Sequence, residues 1–229
     1  MNGYGVLRRV YVRPPDARSL ASWEAFGWHH APDLRSIERE HLAFRERLAE
    51  AGAEVVTGTT PVPGDPDAIY VCDPVLITDA GAIMLRPGKV KRREEPRVVA
   101  RDLEASGVPV LAALEPPATA EGGDLVFLDD VTLLVGVGYR TNTAGAEQLA
   151  SLLEQRGIRT VEVPDEEFPT MGPNVLALGP RIALALDGNP QTRRRLEAVG
   201  VDVRVYRGAQ VSLNGDGGPT CLTRPLARG

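Results

Sequence analysis

The sequence predicts an α/β protein in which a unit of strand, strand, helix and strand is repeated around an axis. Three observations support this fold class. Four segments read as helices that end at a glycine and run into a β-branched strand, and apolar hairpins precede three of them. The 24 glycines and 19 prolines among 229 residues favour many short elements separated by turns.

The four predicted helices share the same way of ending. Leucine and alanine recur in them at the spacing of one helix face. Each helix is followed by a glycine, which adopts the left-handed backbone of a helix C-cap at no steric cost. The segments are SIEREHLAFRERLAEAGAEVV, EEPRVVARDLEASGVPVL, NTAGAEQLASLLEQRGIRTVEV and NPQTRRRLEAVGVDVRVY, and the glycines are Gly52, Gly107, Gly157 and Gly200.

Apolar hairpins are predicted before the last three helices. Each has an apolar strand, a short turn and a second apolar strand. The hairpins are DPVLITDAGAIMLR, GDLVFLDDVTLLVGV and NVLALGPRIALAL, with turns at Asp79 to Gly81, Asp129-Asp130 and Gly179-Pro180. The segment VLRRVYVRP supplies a similar strand before the first helix.

The alternative architecture is an ordinary α/β sheet with crossover helices, which explains the alternation of helices and strands equally well. It does not explain why hairpins, rather than single strands, precede the helices. The repeat around an axis is therefore favoured, with a unit about as long as a propeller blade. No change of composition marks a domain boundary, so residues 1–229 are predicted to form a single domain of four repeats.

Composition and charge narrow the function classes. The formal net charge of −5 argues against a nucleic-acid partner and is compatible with a cationic substrate. Two cysteines, Cys72 and Cys221, cannot build a disulfide framework and fit a reducing compartment. The N-terminal MNGYGVLRRVYVRPP has no long apolar run, and no stretch approaches the roughly 20 apolar residues of a membrane helix. We expect a cytoplasmic protein without a nucleic-acid or membrane partner.

The C-terminal segment NGDGGPTCLTRPL holds the strongest candidate for chemistry. Glycines let backbone N–H groups approach a ligand closely, and such donors would stabilise a thiolate at Cys221. Arg224 is close in sequence and is a candidate for the cationic neighbour that lowers the pKa of a reactive thiol. The alternative is a buried structural cysteine, which is the commoner role of a lone cysteine.

Carboxylates form the second group of candidates. Glu121 and Asp124 flank two glycines in AEGGDLVF, a spacing that suits bidentate binding of a planar guanidinium. The alternative for GGD alone is a turn with a capping aspartate. Asp73 in YVCDPVL lies at the entrance to a buried strand and either forms a turn or binds a ligand. Cys72 beside it is interpreted as a small core residue.

Arginines form the third group. Arg86 in IMLRPGKVKRRE and Arg140 in GYRTNTAG each follow a second hairpin strand, and either could hold a substrate carboxylate. The neighbouring run KVKRREE is interpreted as the solvated start of a helix rather than as a site.

Taken in order, these motifs resemble the arginine deiminase and dimethylarginine dimethylaminohydrolase family. The matching residues are DP before an apolar hairpin that ends LRPGK, then EGGD, YRTN and the C-terminal GGPTCLTRPL, and they span nearly the whole chain. The resemblance implies an α/β-propeller (pentein) fold of five ββαβ blades, of which four repeats are visible here. It implies a hydrolase that needs no metal or organic cofactor.

The resemblance also implies a role for each candidate residue. The thiolate of the matching nucleophile attacks the guanidinium carbon, an amine leaves, and water cleaves the thiouronium adduct. The substrate would be a small cationic guanidine such as arginine or methylated arginine, and the product citrulline or a related ureido compound. The matched residues are Cys221 for the nucleophile, Asp73 and Glu121 for the guanidinium-binding carboxylates, Asp124 for a supporting carboxylate, and Arg86 and Arg140 for the α-carboxylate.

One departure from the family concerns a histidine. The family's catalytic histidine lies between YRTN and the final blade, but here the third helix runs directly into DEEFPTMGPNVLALGP. About one blade is missing with it, which predicts either a ring of four blades or a homodimer that covers the open edge. A catalytically impaired guanidine-binding homologue is the alternative function, and an interaction protein on the same fold is weaker because it has no need of GGPTC.

The chain has three histidines, none of them in that interval. His41 lies near the apolar stripe of its helix and is interpreted as a packed residue. His29 and His30 lie in a loop, where functional side chains are commoner, and form the hypothesis for a substitute base.

Overall fold

The computed structural model describes residues 5–78, 80–127, 133–135, 140–149, 165–167, 169–172, 174–198 and 200–228. Within these residues, the strands form three sheets of three strands and one sheet of two. Their separation into small sheets agrees with the predicted repeat and differs from a single sheet with crossover helices. None of the helices in this part of the chain is long and apolar enough to span a membrane.

The elements are short, as the glycine and proline content predicts. The strands are β1 (Leu7–Val12), β2 (Glu54–Thr57), β3 (Val75–Thr78), β4 (Gly81–Met84), β5 (Val110–Ala113), β6 (Leu125–Phe127), β7 (Leu133–Val135), β8 (Leu176–Gly179), β9 (Ile182–Leu186), β10 (Asp202–Tyr206) and β11 (Arg224–Arg228). The helices are α1 (Ala17–Leu20), α2 (Trp23–Phe26), α3 (Leu34–Glu50), α4 (Glu95–Ala105), α5 (Thr143–Gln148) and α6 (Pro190–Ala198).

Two stretches contain the whole predicted unit. Strands β3 and β4 form an antiparallel hairpin, and β5, which the chain reaches through α4, pairs in parallel with β4. Strands β8, β9 and β10 repeat this arrangement with α6 as the connecting helix. The hairpins predicted for these two stretches and the strand after each helix are therefore confirmed.

The third unit is described in part. Strands β6 and β7 pair antiparallel, as the segment GDLVFLDDVTLLVGV predicts. The turn at Asp129-Asp130 and the cap at Gly157 lie outside the described residues, as does most of the sequence between α5 and β8. The number of repeats therefore stays a prediction.

Three of the four predicted cap glycines have the left-handed backbone that their role requires. The φ angles of Gly52, Gly107 and Gly200 are 89°, 83° and 85°. Other residues pay a steric cost in this conformation, so these glycines end their helices and turn the chain toward the next strand.

The C-terminal strand joins the first sheet. β11 pairs antiparallel with β1, and β2 pairs in parallel with β1 on its other side. The first unit thus has the same strand pattern as the others, but its outer strand comes from the end of the chain. In this pairing Arg224, at the start of β11, lies opposite Tyr11 of β1. The loop before β11, which carries Cys221, is therefore next to the C-terminal end of β1.

The largest group of buried side chains lies under α3. Phe44 packs against Tyr206 with 5.1 Å between ring centroids, and Ile37 and Leu48 are fully buried beside them. Burial of each such side chain contributes about 1.5–3 kcal/mol. His41 on the same helix is 1% exposed, and burial lowers its pKa to about 3. The interpretation of His41 as a packed residue is confirmed.

Candidate active site

Cys221 lies in the loop between β10 and β11. Its Sγ accepts a hydrogen bond from Asn174 Nδ2 at 3.1 Å, and the Asn174 side-chain oxygen accepts one from the backbone N–H of Thr220 at 2.9 Å. The backbone N–H of Cys72 donates to the Cys221 carbonyl at 3.2 Å. The nucleophile candidate is therefore fixed from two sides, by a side chain before β8 and by the segment before β3.

The glycines of this loop are needed for close packing. A Cβ added at Gly217 would overlap the ring of Tyr70, and one added at Gly218 would overlap the side chain of Asn174. Tyr70 is 4% exposed and forms part of the main core. Because Gly217 and Gly218 have no Cβ, the backbone of the loop packs directly against Tyr70 and Asn174. This packing fixes the position of Cys221.

Asp73 is buried beside Cys221, and each of its carboxylate oxygens accepts a hydrogen bond. Arg92 Nη1 donates to Oδ2 at 2.8 Å, and the backbone N–H of Gly123 donates to Oδ1 at 3.2 Å. The residue is 7% exposed. Charged hydrogen bonds of this kind hold a carboxylate in a fixed orientation.

Arg92 and Glu95 form a buried ion pair behind Asp73. The Nε and Nη2 atoms of Arg92 donate to the two carboxylate oxygens of Glu95, and the Nη2 donation is 2.9 Å long. Arg92 is 3% exposed and Glu95 1%. The interpretation of KVKRREE as a solvated helix start is therefore wrong for these two residues. For Glu95 the signal lay in its spacing, because it begins the buried face of α4 that includes Val98 and Val99. Arg92 lies in the 3-10 turn before this helix.

Glu121 is the second carboxylate, and it is fully buried. Its Oε1 accepts a hydrogen bond from the backbone N–H of Gly88 at 3.0 Å. Its Oε2 accepts one from Arg140 Nη1, also at 3.0 Å. The Arg140 side chain is 43% exposed, so it lies between Glu121 and solvent.

The loop that carries Glu121 packs directly on the segment that carries Asp73. The backbone N–H of Gly122 donates to the Asp73 carbonyl at 3.1 Å. A Cβ at Gly122 would overlap the carbonyl oxygen of Cys72, so only glycine allows this approach. Segments 72–73, 121–123 and 221 are thus linked by hydrogen bonds into one cluster, although they come from different parts of the chain.

The remaining predicted residues have different surroundings. Arg86 Nη1 donates to the Ala118 carbonyl at 3.0 Å, so its guanidinium is hydrogen-bonded to the backbone. Asp124 ends a short 3-10 turn, and its side chain lies outside the described part. Arg224 donates to the Cys72 carbonyl and to Cys72 Sγ at 3.3 Å, so it contacts Cys72 rather than the Cys221 sulfur.

Burial governs the pKa of both cysteines. Burial raises the pKa of the Cys72 thiol to about 11, which makes it a poor nucleophile and fits its interpretation as a core residue. Burial, and then the charge of Asp73, raise the pKa of Cys221, while the hydrogen bonds from Asn174 and Gly218 lower it. A cation bound between Asp73 and Cys221 would favour the thiolate.

The two loop histidines lie beside the segment that leads to Cys221. His29 Nε2 is 3.0 Å from Asp216 Oδ2, and the His29 side chain is 59% exposed. The backbone N–H of His30 donates to the side-chain oxygen of Asn214 at 3.0 Å. Their role as a substitute base stays a hypothesis. Among the described residues, no group of three or more His, Cys, Asp or Glu side chains is arranged to hold a metal ion.

A family model described as arginine deiminase matches residues 69–165 and 152–228. The chain therefore belongs to the arginine deiminase and dimethylarginine dimethylaminohydrolase family, as its motifs predict.

Individual relatives agree with this assignment. The chain is 25% identical over 266 residues to N(G),N(G)-dimethylarginine dimethylaminohydrolase from Pseudomonas aeruginosa, an alignment covering 95% of this chain and 99% of that protein. It is 37% identical over 122 residues to the enzyme of the same name from Streptomyces coelicolor, which covers 53% of this chain and 46% of that protein.

Solved structures share the fold. A variant of the P. aeruginosa enzyme complexed with citrulline superimposes with a TM-score of 0.76 at 22% identity, covering 95% of this chain and 98% of that one. The N-terminal domain of ArgZ, an arginine dihydrolase from cyanobacteria bound to product, gives 0.78 at 18% identity, covering 96% of this chain and 97% of that one.

Proposed function

We propose that this protein hydrolyses a guanidino carbon–nitrogen bond of arginine, methylated arginine or a related guanidine, with Cys221 as the nucleophile. The observation that carries the proposal is that the segments with Cys221, Asp73 and Glu121 are joined by hydrogen bonds, and that Glu121 already binds one guanidinium, that of Arg140. A carboxylate in this position has the charge and geometry to bind a substrate guanidinium.

The chemistry proceeds in two steps. The Cys221 thiol gives up its proton, the thiolate attacks the guanidinium carbon, and the bond from that carbon to one nitrogen breaks, so that ammonia or an alkylamine leaves with the proton that the thiol released. Water then attacks the thiouronium carbon, the carbon–sulfur bond breaks, and a ureido product and the free thiol result. Splitting the reaction in this way replaces one difficult step with two easier ones.

The carboxylates and the Asn174 amide have different roles in this proposal. Asp73 and Glu121 hold the cation, and the Asn174 amide stabilises negative charge on the sulfur before attack. Burial, and then the charge of Asp73, raise the pKa of Cys221, which favours the protonated thiol in the unliganded protein. The positive charge of a bound guanidinium opposes both effects and promotes formation of the thiolate next to its target carbon.

A second candidate function is a guanidine-binding homologue that turns over slowly or not at all. The observation that favours it is the position of all three histidines, which precede residue 42 and thus lie outside the interval of the family's catalytic histidine. General acid–base catalysis by such a group contributes about 10²–10⁴-fold in rate. His29 and His30 are the hypothetical substitutes, and replacing both with alanine should abolish hydrolysis. Unchanged activity of that double variant would exclude them.

The cytoplasmic location and a possible homodimer belong to the same proposal. Both cysteines are unpaired, which suits a reducing compartment. Sedimentation distinguishes a closed monomer from a dimer that covers an open sheet edge.

The proposal is tested by assaying ureido product with a panel of guanidines that includes arginine, methylated arginine and agmatine. The intact protein is compared with Cys221→Ser, which keeps the carboxylates and removes the nucleophile. Product from the intact protein alone supports the hydrolase. Binding of a guanidine without product would support the second candidate, and neither binding nor product with any guanidine would refute both.

A further inference from the structure

Two cavities away from the candidate active site lie at the same place in the repeat unit, beyond the C-terminal ends of two parallel strands. In the first unit, the cavity follows β1 and β2 and is lined by residues 13–17 and 58–62. In the last unit, the cavity follows β9 and β10 and is lined by residues 186–188 and 205–209. The repeat therefore builds two cavities that can be compared directly.

Each cavity has an arginine directly after a strand, but the two arginines have different surroundings. Arg13 is 5% exposed, and its Nη2 donates to Asp102 Oδ2 at 2.6 Å. Arg207 is exposed, and in the described part of the chain no oxygen is hydrogen-bonded to its guanidinium. The first arginine therefore stabilises the fold, whereas the second is open to a ligand.

The cavity of the last unit is a groove of about 820 Å³ between α3 and the loops after β9 and β10, and we call it the α3 groove. Its volume is within the range of small-molecule sites. Aliphatic side chains favour a hydrocarbon chain as the occupant, because burial removes the apolar surface of both from water. The apolar lining consists of Ala43, Leu186, Val205, Ala209 and Leu213.

The charges around the α3 groove match a single negative charge. Its cations are Arg39, Arg47 and Arg207, and its acids are Glu40 and Asp187. These groups leave one net positive charge, in a chain whose formal net charge is −5. A guanidinium binds a carboxylate through two parallel hydrogen bonds, so a carboxylate is the monoanion that fits best.

Backbone donors hold both acids of the α3 groove. Glu40 Oε2 accepts hydrogen bonds from the backbone N–H groups of Gln210 at 2.7 Å and Val211 at 3.0 Å. Asp187 Oδ1 accepts one from the Gly188 N–H at 2.9 Å. The bonds to Glu40 also fix the loop after β10 against α3, so the groove is formed before any ligand binds.

We propose that the α3 groove is a binding site for an aliphatic carboxylate, with the hydrocarbon chain on the apolar lining and the carboxylate on Arg207. The other two arginines already have partners on α3 itself: Arg39 donates to Ser36 at 3.1 Å, and Arg47 to Glu50 at 2.7 Å. Arg207 is therefore the principal cation of the site. The site is separate from the proposed hydrolysis, because none of its lining residues has a role in that reaction.

The test compares octanoate with octanamide, which have the same chain and differ in the charge of the head group. Calorimetry with the full chain measures both affinities. We expect octanoate to bind at least about tenfold more tightly, because a hydrogen bond to a charged group is worth that much or more. In Arg207→Gln the affinity for octanoate should fall to about that for octanamide, and the affinity for octanamide should not change.

Two further variants locate the site. Ala43→Trp fills the groove from an exposed position on α3 and should abolish binding of both ligands. Arg35→Gln removes an exposed arginine of α3 that does not line the groove, and it should leave both affinities unchanged. Thermal melting shows whether each variant is folded, and Arg207→Gln and Ala43→Trp test the site independently of each other.

The outcomes are distinct from those that test the proposed function. Absence of saturable octanoate binding to the intact protein would refute the site, whether or not the protein hydrolyses a guanidine. Equal affinities for octanoate and octanamide would refute the role of Arg207. Octanoate affinity that is undiminished in Arg207→Gln or in Ala43→Trp would place the ligand elsewhere on the protein and would also refute the proposal.

Discussion

Asp73 and Glu121 are both buried carboxylates, but their cationic partners have opposite surroundings. Arg92, the partner of Asp73, is 3% exposed and is also held by Glu95. Arg140, the partner of Glu121, has a side chain that is 43% exposed. We call Asp73, Arg92 and Glu95 the sealed end of the site, and Glu121 with Arg140 the open end. The sealed end therefore holds Asp73 in a fixed orientation, whereas the open end leaves the cation beside Glu121 in contact with solvent.

The largest expected effect is loss of the cation at the sealed end. Arg92→Met keeps a long side chain but leaves Asp73 and Glu95 as unpaired buried acids, which typically costs about 3–5 kcal/mol of unfolding free energy. Denaturant unfolding measures the loss, with Arg93→Met as the matched control. Arg93 is half-buried and donates to the Pro87 carbonyl, so its replacement should cost far less. Equal losses in the two variants would show that the buried ion pairs of Arg92 contribute no more to stability than the backbone hydrogen bond of Arg93.

The next effect is a pH dependence of the unfolding free energy, which arises from Asp65 beside the sealed end. Asp65 faces Glu95, Arg92 and Asp67, and burial raises its pKa from 3.8 to about 6. The folded protein therefore keeps a proton that the unfolded chain releases between about pH 4 and 6, so this carboxyl lowers stability as the pH rises through that interval. The shift corresponds to up to roughly 3 kcal/mol.

Asp65→Asn removes the titrating group and should therefore become progressively more stable than the unmodified protein between pH 4 and pH 7. Unfolding curves at several pH values across this range measure the difference. A difference that does not vary with pH would contradict the assigned shift.

The two glycines that join the ends should respond unequally. Gly122→Ala introduces a Cβ that overlaps the Cys72 carbonyl, and overpacking of this kind costs about 1–3 kcal/mol. Gly123→Ala places its Cβ 3.3 Å from Arg140 Nη2 and Asp73 Oδ1, where the Arg140 side chain can move aside. We expect a smaller loss of stability for Gly123→Ala by thermal melting. A larger loss of stability in Gly123→Ala than in Gly122→Ala would show that Gly122 is not in close contact with the Cys72 carbonyl.

A smaller effect than that of Arg92→Met is expected at the open end. Arg140→Gln should reduce the unfolding free energy by about 1–3 kcal/mol, because it leaves one buried carboxylate without its cation rather than two and still offers an amide donor to Glu121. Denaturant unfolding measures both variants, and a loss as large as that of Arg92→Met would remove the contrast between the two ends.

Short stretches of the sequence were sufficient to predict the repeat unit and to identify the motifs of the site. Pairs of apolar strands around a short turn predicted the hairpins β3–β4 and β8–β9, and the requirement for positive φ predicted the caps at Gly52, Gly107 and Gly200. These features depend on a few neighbouring residues. The arrangement of Asp73, Glu121 and Cys221 in one cluster followed only from the family resemblance.

The features that sequence reasoning missed depend on contacts between distant segments. The pairing of β11 with β1 joins the two ends of the chain, and nothing in RPLAR alone indicates its partner. Asn174 becomes a donor to Cys221 only when the two loops meet. Arg92 and Glu95 have the composition of a solvated helix start, and their burial depends on the partner that Asp73 provides. Charge alone does not predict whether such a pair is buried.

The central claim is that Cys221, Asp73 and Glu121 act on one guanidinium, and acid-quenched mass spectrometry of the Cys221 peptide tests it most directly. After mixing with a guanidine that binds, the intact protein should carry a thiouronium adduct on Cys221. Asp73→Asn and Glu121→Gln should each reduce that adduct sharply. Undiminished adduct in both carboxylate variants, or none in the intact protein with any bound guanidine, would contradict the account.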